Sequence, residues 1–347
     1  VPAERIAEVD KRLGPTAFVV AKLTSGVSTR EALVANPRGP PMSVREIVAL
    51  GTASQVPTRL RNHNGYFLRW DDEGFLFDPG EGTQRQMAFA SLAASSIHRV
   101  CVTHFHGDHC LGLGGIIQRA SLDRVPHPVH IYFPASGTQY FERLRYASIY
   151  YPAAEIVPSP IRELPLLQVI ADTPNYTLYA HALEHGVPTI GYRLEEKAGR
   201  RFDPALLAAA GVGGPHVGEL AKKGSIEVHG RTVTVDEVSH VRLGTVVAFV
   251  MDTRPCPGAT ALARDADLLV MEATYTAEDQ SLATEHGHSS SADAARTALD
   301  ANAKQLAITH FSQRYASTEQ HVREARAIFE NTIALHDLDR LVIPRRK

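Results

Sequence analysis

Cysteine is scarce in this chain: among 347 residues there are only Cys101, Cys110 and Cys256. An odd number without CxxC spacing excludes a disulfide framework and a thiolate metal site, and suits a reducing cytoplasm. An excess of either charge is missing as well. With a formal net charge of −2, no overall cationic field exists to hold a polyanion, which has to be gripped by local groups. Long apolar runs are absent: none approaches the roughly 20 residues needed to span a bilayer. The opening VPAERIAEVDKRLGP lacks the basic-then-apolar order of a secretory leader. These absences lead to the expectation of a cytoplasmic protein with no membrane segment.

What is present falls into three stretches. Residues 1–41 combine an amphipathic AERIAEVDKRL, an apolar AFVVAKL and the breaker NPRGPP, which continues neither a helix nor a central strand. MSVREIVALGT then reads as a fresh start at Met42. The first 41 residues are therefore expected to be an N-terminal extension outside the functional unit, from upstream in-frame translation or as an expression remnant. From Ser43, strand-like runs (REIVAL, GYFLRW, GFLFD, RVCVT, then TVVAFVM, DLLVM, QLAIT) alternate with helical ones (EGTQRQMAFASLAA, 108–120, 289–300, 317–330). That is the grammar of a layered α/β fold. VTHF at 102–105 and ITHF at 308–311 hint at two related halves. Between residues 195 and 238 the pattern loosens around an Ala-rich stretch, a Gly/Pro turn and paired lysines, and reads as an insertion projecting from the core.

The chemistry concentrates in THFHGDHCLG, residues 103–112. His104 and His106 stand two apart, so in extended chain both imidazoles point to one side; Asp108 and His109 open the next helix. All four lie on a loop between a buried strand and a helix N-terminus, where open α/β sheets place ligands. His185 after YTLYAHAL, Asp252 after TVVAFVM and His310 after QLAI occupy similar strand ends. Singly, His185 reads more simply as a hydrogen-bonded structural histidine, and Asp252 as a turn residue. The HxHxDH group differs, because four titratable side chains against an apolar strand are costly to bury without partners. Seven N and O ligands exceed the four or so that one zinc takes and suit two ions bridged by a carboxylate. Imidazole and carboxylate without thiolate select zinc, with manganese or iron as alternatives. The residues alone thus reach a dinuclear metallohydrolase.

HxHxDH followed by isolated His, Asp and His ligands resembles the metallo-β-lactamase superfamily, and further motifs resemble one of its families, ribonuclease Z. LGTASQVPTRLRN (50–62) is similar to that family's N-terminal loop, DPGEGTQRQM (78–87) to its GEGTQRQ turn and helix, and THFSQRY (309–315) to its last-ligand motif. MDTR, MEAT and GHSS resemble its GDTR, HEAT and HST segments, with Met251 and Met271 replacing a glycine and a histidine. Neither replacement removes a ligand. The resemblance runs over nearly the whole chain after residue 41 and is to the short bacterial form. It implies an α/β fold, an αββα metallo-β-lactamase sandwich over residues 42–347, with a tRNA-binding arm inserted at 195–238. It further implies a zinc-dependent endoribonuclease that removes the 3′ trailer from precursor tRNA, leaving a tRNA 3′-hydroxyl and a trailer 5′-phosphate. Of two Zn2+ per subunit (Mn2+ being the alternative), His104, His106 and His185 would hold one, Asp108, His109 and His310 the other, and Asp252 would bridge them. Asp108 would orient or deprotonate the attacking water, His288 would protonate the departing oxygen, and Glu272 would orient His288. The plainer reading makes His288 a residue ahead of a helix and Glu272 the partner of a nearby base.

For the substrate, Arg59, Arg61 and Asn62 in PTRLRN would meet phosphates near the active edge, assisted by Thr83 and Arg85. Gly214, Pro215, Lys222 and Lys223 in GVGGPHVGELAKKG resemble the arm that grips the tRNA elbow, which implies recognition of folded shape. The resemblance also implies a homodimer in which one subunit's arm serves the other's active site, and no organic cofactor. Two rivals remain open. A phosphodiesterase or lactonase for small molecules on the same fold would need no arm. A non-catalytic RNA-binding protein with a relic metal site would show no rate for Asp108→Ala to change.

Overall fold

Along the central strands both alternating faces are apolar, so each strand needs cover on two sides. The computed structural model describes residues 44–346, and provides that cover with two stacked sheets between outer helices. The extension expected over residues 1–41 lies outside the described residues. The first sheet contains, in spatial order, β1 (Arg45–Gly51), β2 (Gly65–Trp70), β3 (Glu73–Phe77), β4 (Arg99–Cys101), β5 (Val129–Pro134) and β6 (Ile156–Ile161). Helices α1 (Thr83–Phe89), α2 (Gly107–Cys110), α3 (Leu113–Leu122) and α4 (Thr138–Arg145) interrupt it. Strands β7 (Gln168–Asp172), β8 (Tyr176–Leu183) and β9 (Thr189–Glu196) open the second sheet. The inserted segment follows with β10 (Gly199–Phe202), α5 (Pro204–Ala209), α6 (Pro215–Lys223), β11 (Ser225–Val228), β12 (Arg231–Thr234), α7 (Val235–Val238) and β13 (Ser239–Arg242). Then β14 (Val246–Val250), α8 (Pro257–Ala263), β15 (Leu268–Glu272), α9 (Gln280–His286), α10 (Ser291–Asp300), β16 (Leu306–Thr309), α11 (Glu319–Arg326) and β17 (Thr332–Ala334) complete the second sheet, and β18 (Arg340–Val342) returns to pair with β1.

The two sheets repeat one plan. β18, β1, β2 and β3 pair antiparallel and β3 to β6 parallel; β7, β8, β9 and β14 pair antiparallel and β14 to β17 parallel. The two halves hinted at by VTHF and ITHF are therefore real as architecture, yet those tetrapeptides do not mark equivalent strands. By order, β4 corresponds to β15, and β16 to β5. The equivalent pair that matters is β3 and β14, which run into Asp78 and Asp252, both in the left-handed region at φ 44° and 42°.

Period-two alternation assigns each side chain to a layer. In β14, Val247 and Phe249 face the other sheet while Val246, Ala248 and Val250 face the helices. Between the sheets, Phe249 stacks on Phe77 with ring centroids 4.5 Å apart and meets Tyr66 edge-on at 5.1 Å. The outer face of the first sheet is covered through Leu113, Ile116, Ile117 and Phe141, and that of the second through Leu262, Ala294, Ala298 and Ala325. The result is an αββα sandwich. The inserted segment has an apolar cluster of its own, formed by Val212, Leu220, Ile226, Val228, Val233 and Val238. Its elements span 199–242 rather than 195–238, because Glu196 is still paired in β9. No helix among the described residues is long and apolar enough to cross a membrane.

One expected helix is broken where the site is built. The run expected over 108–120 divides into α2 and α3, because the Gly112 N–H donates to the Pro79 carbonyl at 2.9 Å and a Cβ on Gly112 would lie 2.1 Å from the Gly80 oxygen. Only glycine lets the Asp78–Gly82 turn come so close. Likewise α1 stops at Phe89 instead of continuing to Ala94, with Ser91 at φ 55°, and α11 is shorter than the expected 317–330.

Candidate metal centre and active site

Four chain segments leaving β4, β8, β14 and β16 converge at one edge between the sheets. They bring together His104, His106, His185 and Asp252 in one group and Asp108, His109 and His310 in another, the potential ligand atoms of each lying within 4.8 Å of one another. Asp252 stands between the groups. Its Oδ1 is 3.2 Å from His109 Nε2 and 3.3 Å from His310 Nε2, while its Oδ2 is 3.6 Å from His104 Nε2 and 3.7 Å from His185 Nε2. Asp108 Oδ2 lies 3.3 Å from both His109 Nε2 and His310 Nε2. His310, like Asp252, sits at positive φ, 62°; such backbone persists only where the surroundings over-determine it.

Four of the five imidazoles are held by the far nitrogen. His109 Nδ1 faces Asp78 Oδ2 at 2.8 Å, His185 Nδ1 the Gly287 carbonyl at 2.7 Å, His104 Nδ1 the Thr103 hydroxyl at 3.0 Å and His310 Nδ1 the Thr274 hydroxyl at 2.9 Å. The two threonines in turn donate to Asp78 and Glu272 at 2.8 and 2.6 Å, so their oxygens are free to accept from the rings. All four Nδ1 atoms are thereby fixed as donors, leaving the Nε2 lone pairs aimed at the centre. His106 points in with Nδ1, 2.9 Å from His104 Nε2.

This arrangement fits divalent cations on three counts. Asp252 Oδ1 is buried and has no hydrogen-bond partner among the described residues, an expense that a cation removes. Ring nitrogens crowd together, His109 Nε2 lying 3.1 Å from His310 Nε2 and His185 Nε2 3.3 Å from His106 Nδ1. The donors are all N and O. Electrostatics agree: burial depresses the pKa values of His104 and His106. Burial also disfavours charge on Asp252 and Asp108, but the surrounding imidazoles, His109 foremost, hold both carboxyls well below the usual range. Burial works against a proton on His109 as well, yet Asp252, Asp108 and Asp78 more than offset it and raise its pKa.

His288 sits at the same edge with Nδ1 3.1 Å from Glu272 Oε1 and 3.9 Å from Asp252 Oδ2. Although burial opposes it, Glu272 and Asp252 push the His288 pKa up to about 9. Glu272, fully buried, also accepts from the Thr253 N–H at 2.6 Å; burial raises its pKa, but His288 brings it below the ordinary value. These residues open onto a cleft of ≈ 380 Å³ lined further by Ser54, Gln55, Tyr275 and Arg314.

The residues expected to meet substrate divide. Arg59 and Arg85 are exposed, and Gly214, Pro215, Lys222 and Lys223 are exposed on the inserted segment; Lys223 pairs with Glu219. Arg61 is half-buried over the Phe311 ring at 4.9 Å. Asn62 is spent on the Glu81 and His63 carbonyls. Thr83 corrects the expectation: it is 1% exposed with its hydroxyl donating to the Gly80 carbonyl at 2.8 Å, so it holds the turn and offers nothing to a ligand. The sequence reading missed Asp78, Thr103 and Thr274, which orient the ligand imidazoles. Thr103 and Thr274 stand just past strand ends inside motifs already singled out, whereas the role of Asp78 depends on β3 lying beside β4.

The sequence model of the metallo-β-lactamase superfamily matches residues 58–199, the class that paired sheets with a histidine-rich edge define. Within that class the chain is 55% identical over 309 residues to the ribonuclease Z of Streptomyces coelicolor, covering 88% of this chain and 100% of that one. It is 48% identical to the ribonuclease Z of Protochlamydia amoebophila, covering 86% and 96%. The chain belongs to the ribonuclease Z family. Its fold is similar to the crystal structure of the short form of human tRNase Z, with TM-score 0.63 and 24% identity over 86% of this chain and 99% of that one. It is also similar to a diphosphatase of the PhnP family, with TM-score 0.58 and 15% identity over 87% and 99%.

Proposed function

We propose that this chain is a metal-dependent endoribonuclease that cuts the 3′ trailer from precursor tRNA in the cytoplasm, leaving a tRNA 3′-hydroxyl and a trailer 5′-phosphate. The observation that carries the reading is the 55% identity to a ribonuclease Z along that protein's whole length; the two ligand groups, with Asp252 Oδ1 also 3.2 and 3.3 Å from His109 and His310, support it. We assign two Zn2+, with Mn2+ as the alternative, to His104, His106 and His185 on one side of Asp252 and Asp108, His109 and His310 on the other. Such a pair supplies a water of lowered pKa and neutralises charge on the phosphoryl oxygens.

The chain's own groups do the rest. Asp108, ionised and facing the cleft, accepts a hydrogen bond from the attacking water and orients it in line with the scissile bond. His288, kept protonated by Glu272, donates from the cleft side to the departing 3′ oxygen. Arg59 and Arg85, exposed, Arg61, half-buried, and Gly214, Pro215, Lys222 and Lys223 on the arm meet phosphates locally, which a chain without net positive charge requires. In a homodimer, the arm of one subunit would engage tRNA seated at the other's centre. An enzyme for small molecules has no use for such an arm, which favours RNA over the reading as a phosphodiesterase or lactonase for small molecules. The test is incubation with precursor tRNA carrying a trailer, with zinc or manganese and then with chelator. One metal-dependent cut after the discriminator base is expected, and absence of cleavage by metal-loaded protein overturns the reading.

A further inference from the structure

The arm leaves the body through two closely apposed segments, and one buried carboxylate ties them together. Glu196 ends β9 and is 7% exposed. Its Oε1 and Oε2 accept from Arg242 Nη2 and Nη1 at 2.8 and 3.0 Å, and Arg242 is the last residue of β13, the returning foot. Oε2 also accepts the Thr245 N–H at 2.9 Å. The backbones meet as well: the Glu196 N–H donates to the Thr245 carbonyl at 2.9 Å, and a Cβ on Gly244 would fall 1.7 Å from the Glu196 oxygen.

The same carboxylate reaches the body. Arg45 of β1, 4% exposed, donates from Nη2 to Glu196 Oε1 at 3.0 Å and is itself gripped by Asp71 at 3.0 and 2.7 Å. Its guanidinium lies 4.0 Å over the Trp70 ring. Arg345 near the C-terminus closes the group, 2.7 Å from Asp71 and 3.8 Å from Glu196. Every lone-pair direction of Glu196 thus meets a donor, and burial's opposition to its charge is overcome by Arg242, Arg45 and Thr245, which hold its pKa well below the usual carboxylate range.

We propose that Glu196 is a positioning residue for the arm: by tying the returning foot at Arg242 to the body at Arg45, it sets the direction in which the arm projects. The inference rests on the reading that the arm binds precursor tRNA. Two antiparallel segments alone can bend as a hinge, and a small angle at the root becomes a large displacement at the tip near Pro215. A bidentate pair fixes the angle as well as the distance. An arm held in its binding direction loses less freedom on engaging tRNA. Loosening the root therefore weakens substrate capture and leaves the bond-breaking step alone.

The test compares wild type with Arg242→Gln, Arg242→Lys and Glu196→Gln. Three readouts are taken: steady-state cleavage of precursor tRNA, hydrolysis of bis(p-nitrophenyl) phosphate, and the spin-label distance distribution between Gly218→Cys on the arm and an exposed body site. Arg242→Gln and Glu196→Gln are expected to raise KM for precursor tRNA about tenfold, with kcat and the small ester unchanged, and to broaden the distance distribution; Arg242→Lys recovers part of the KM. The Arg242 side chain is 18% exposed against 7% for Glu196, and circular dichroism selects the variants that fold. An unchanged KM and distribution in a folded Arg242→Gln overturns the proposal, as does a parallel fall in small-ester hydrolysis, which marks a merely structural role. Should wild type hydrolyse the small ester but leave precursor tRNA intact, the functional reading fails instead, and the distance distribution still decides whether Glu196 holds the arm.

Discussion

Replacing Glu272 by glutamine tests the proton donor, and because Glu272 also accepts from Thr274, which holds His310, metal content is measured alongside. The carboxylate receives three donors, from Thr253, Thr274 and His288, so an amide in its place turns one N–H2 toward another donor whichever way it is placed. The larger effect is on charge. Glu272 is the main cause that raises the pKa of His288 to about 9 against burial. Without it burial pulls the value back toward the ordinary imidazole range. His288 works in its protonated form, so the raised pKa preserves that form to higher pH and its loss appears first on the alkaline side. At pH 8.5 a group of pKa about 9 is roughly three-quarters protonated and an ordinary imidazole of pKa about 6.5 roughly 1%, which slows the reaction by more than about tenfold. At pH 6 both are protonated and the rates should agree within about twofold. The assay is single-turnover cleavage of precursor tRNA from pH 6 to pH 9.5. Bis(p-nitrophenyl) phosphate, whose leaving group needs no proton, serves as the control and should show no such divergence. A loss of equal size at every pH, or an alkaline limb that stays near pH 9, refutes the assignment of Glu272 and His288.

Other perturbations read other layers. Asp252→Asn leaves one of the two ligand groups without its carboxylate oxygen, and elemental analysis should find metal content reduced together with cleavage. Phe249→Ala, at the stacked centre between the sheets, should lower stability by about 3–5 kcal/mol in urea unfolding, without changing the ligand set. Excising residues 199–242 in favour of a short Gly-Ser linker removes a segment with its own apolar cluster; the remaining sandwich should melt near the wild-type temperature and hydrolyse the small ester, while precursor tRNA cleavage is lost. Arg61→Ala should raise KM for precursor tRNA and reduce the slope of affinity against salt by about one phosphate contact, measured by titration in potassium chloride.

Much of this protein was legible along the chain because the information is local. Near-continuous apolar runs such as TVVAFVM mark strands buried on both faces, and HxHxDH at a strand end declares its chemistry through four costly side chains in six positions. The breaks were less legible. The interruption between α2 and α3 arises from contact with the turn after β3, thirty residues earlier, and no helical periodicity contains that contact. Asp78 shows the same limit. Its identity as a fixing group for His109 depends on β3 lying beside β4, and in the sequence it is one acidic residue ahead of a Pro-Gly turn.

Residue type and spacing by themselves determined the donor inventory, the layered α/β class and the existence of an insertion, since each follows from periodicity or from the chemistry of neighbouring side chains. Tertiary structure alone decided that Asp252 turns one oxygen to each ligand group, that Thr83 is buried, and that Glu196 joins the arm's two feet to β1. These depend on pairings between strands more than a hundred residues apart in places, and such contacts are set by how the two sheets stack.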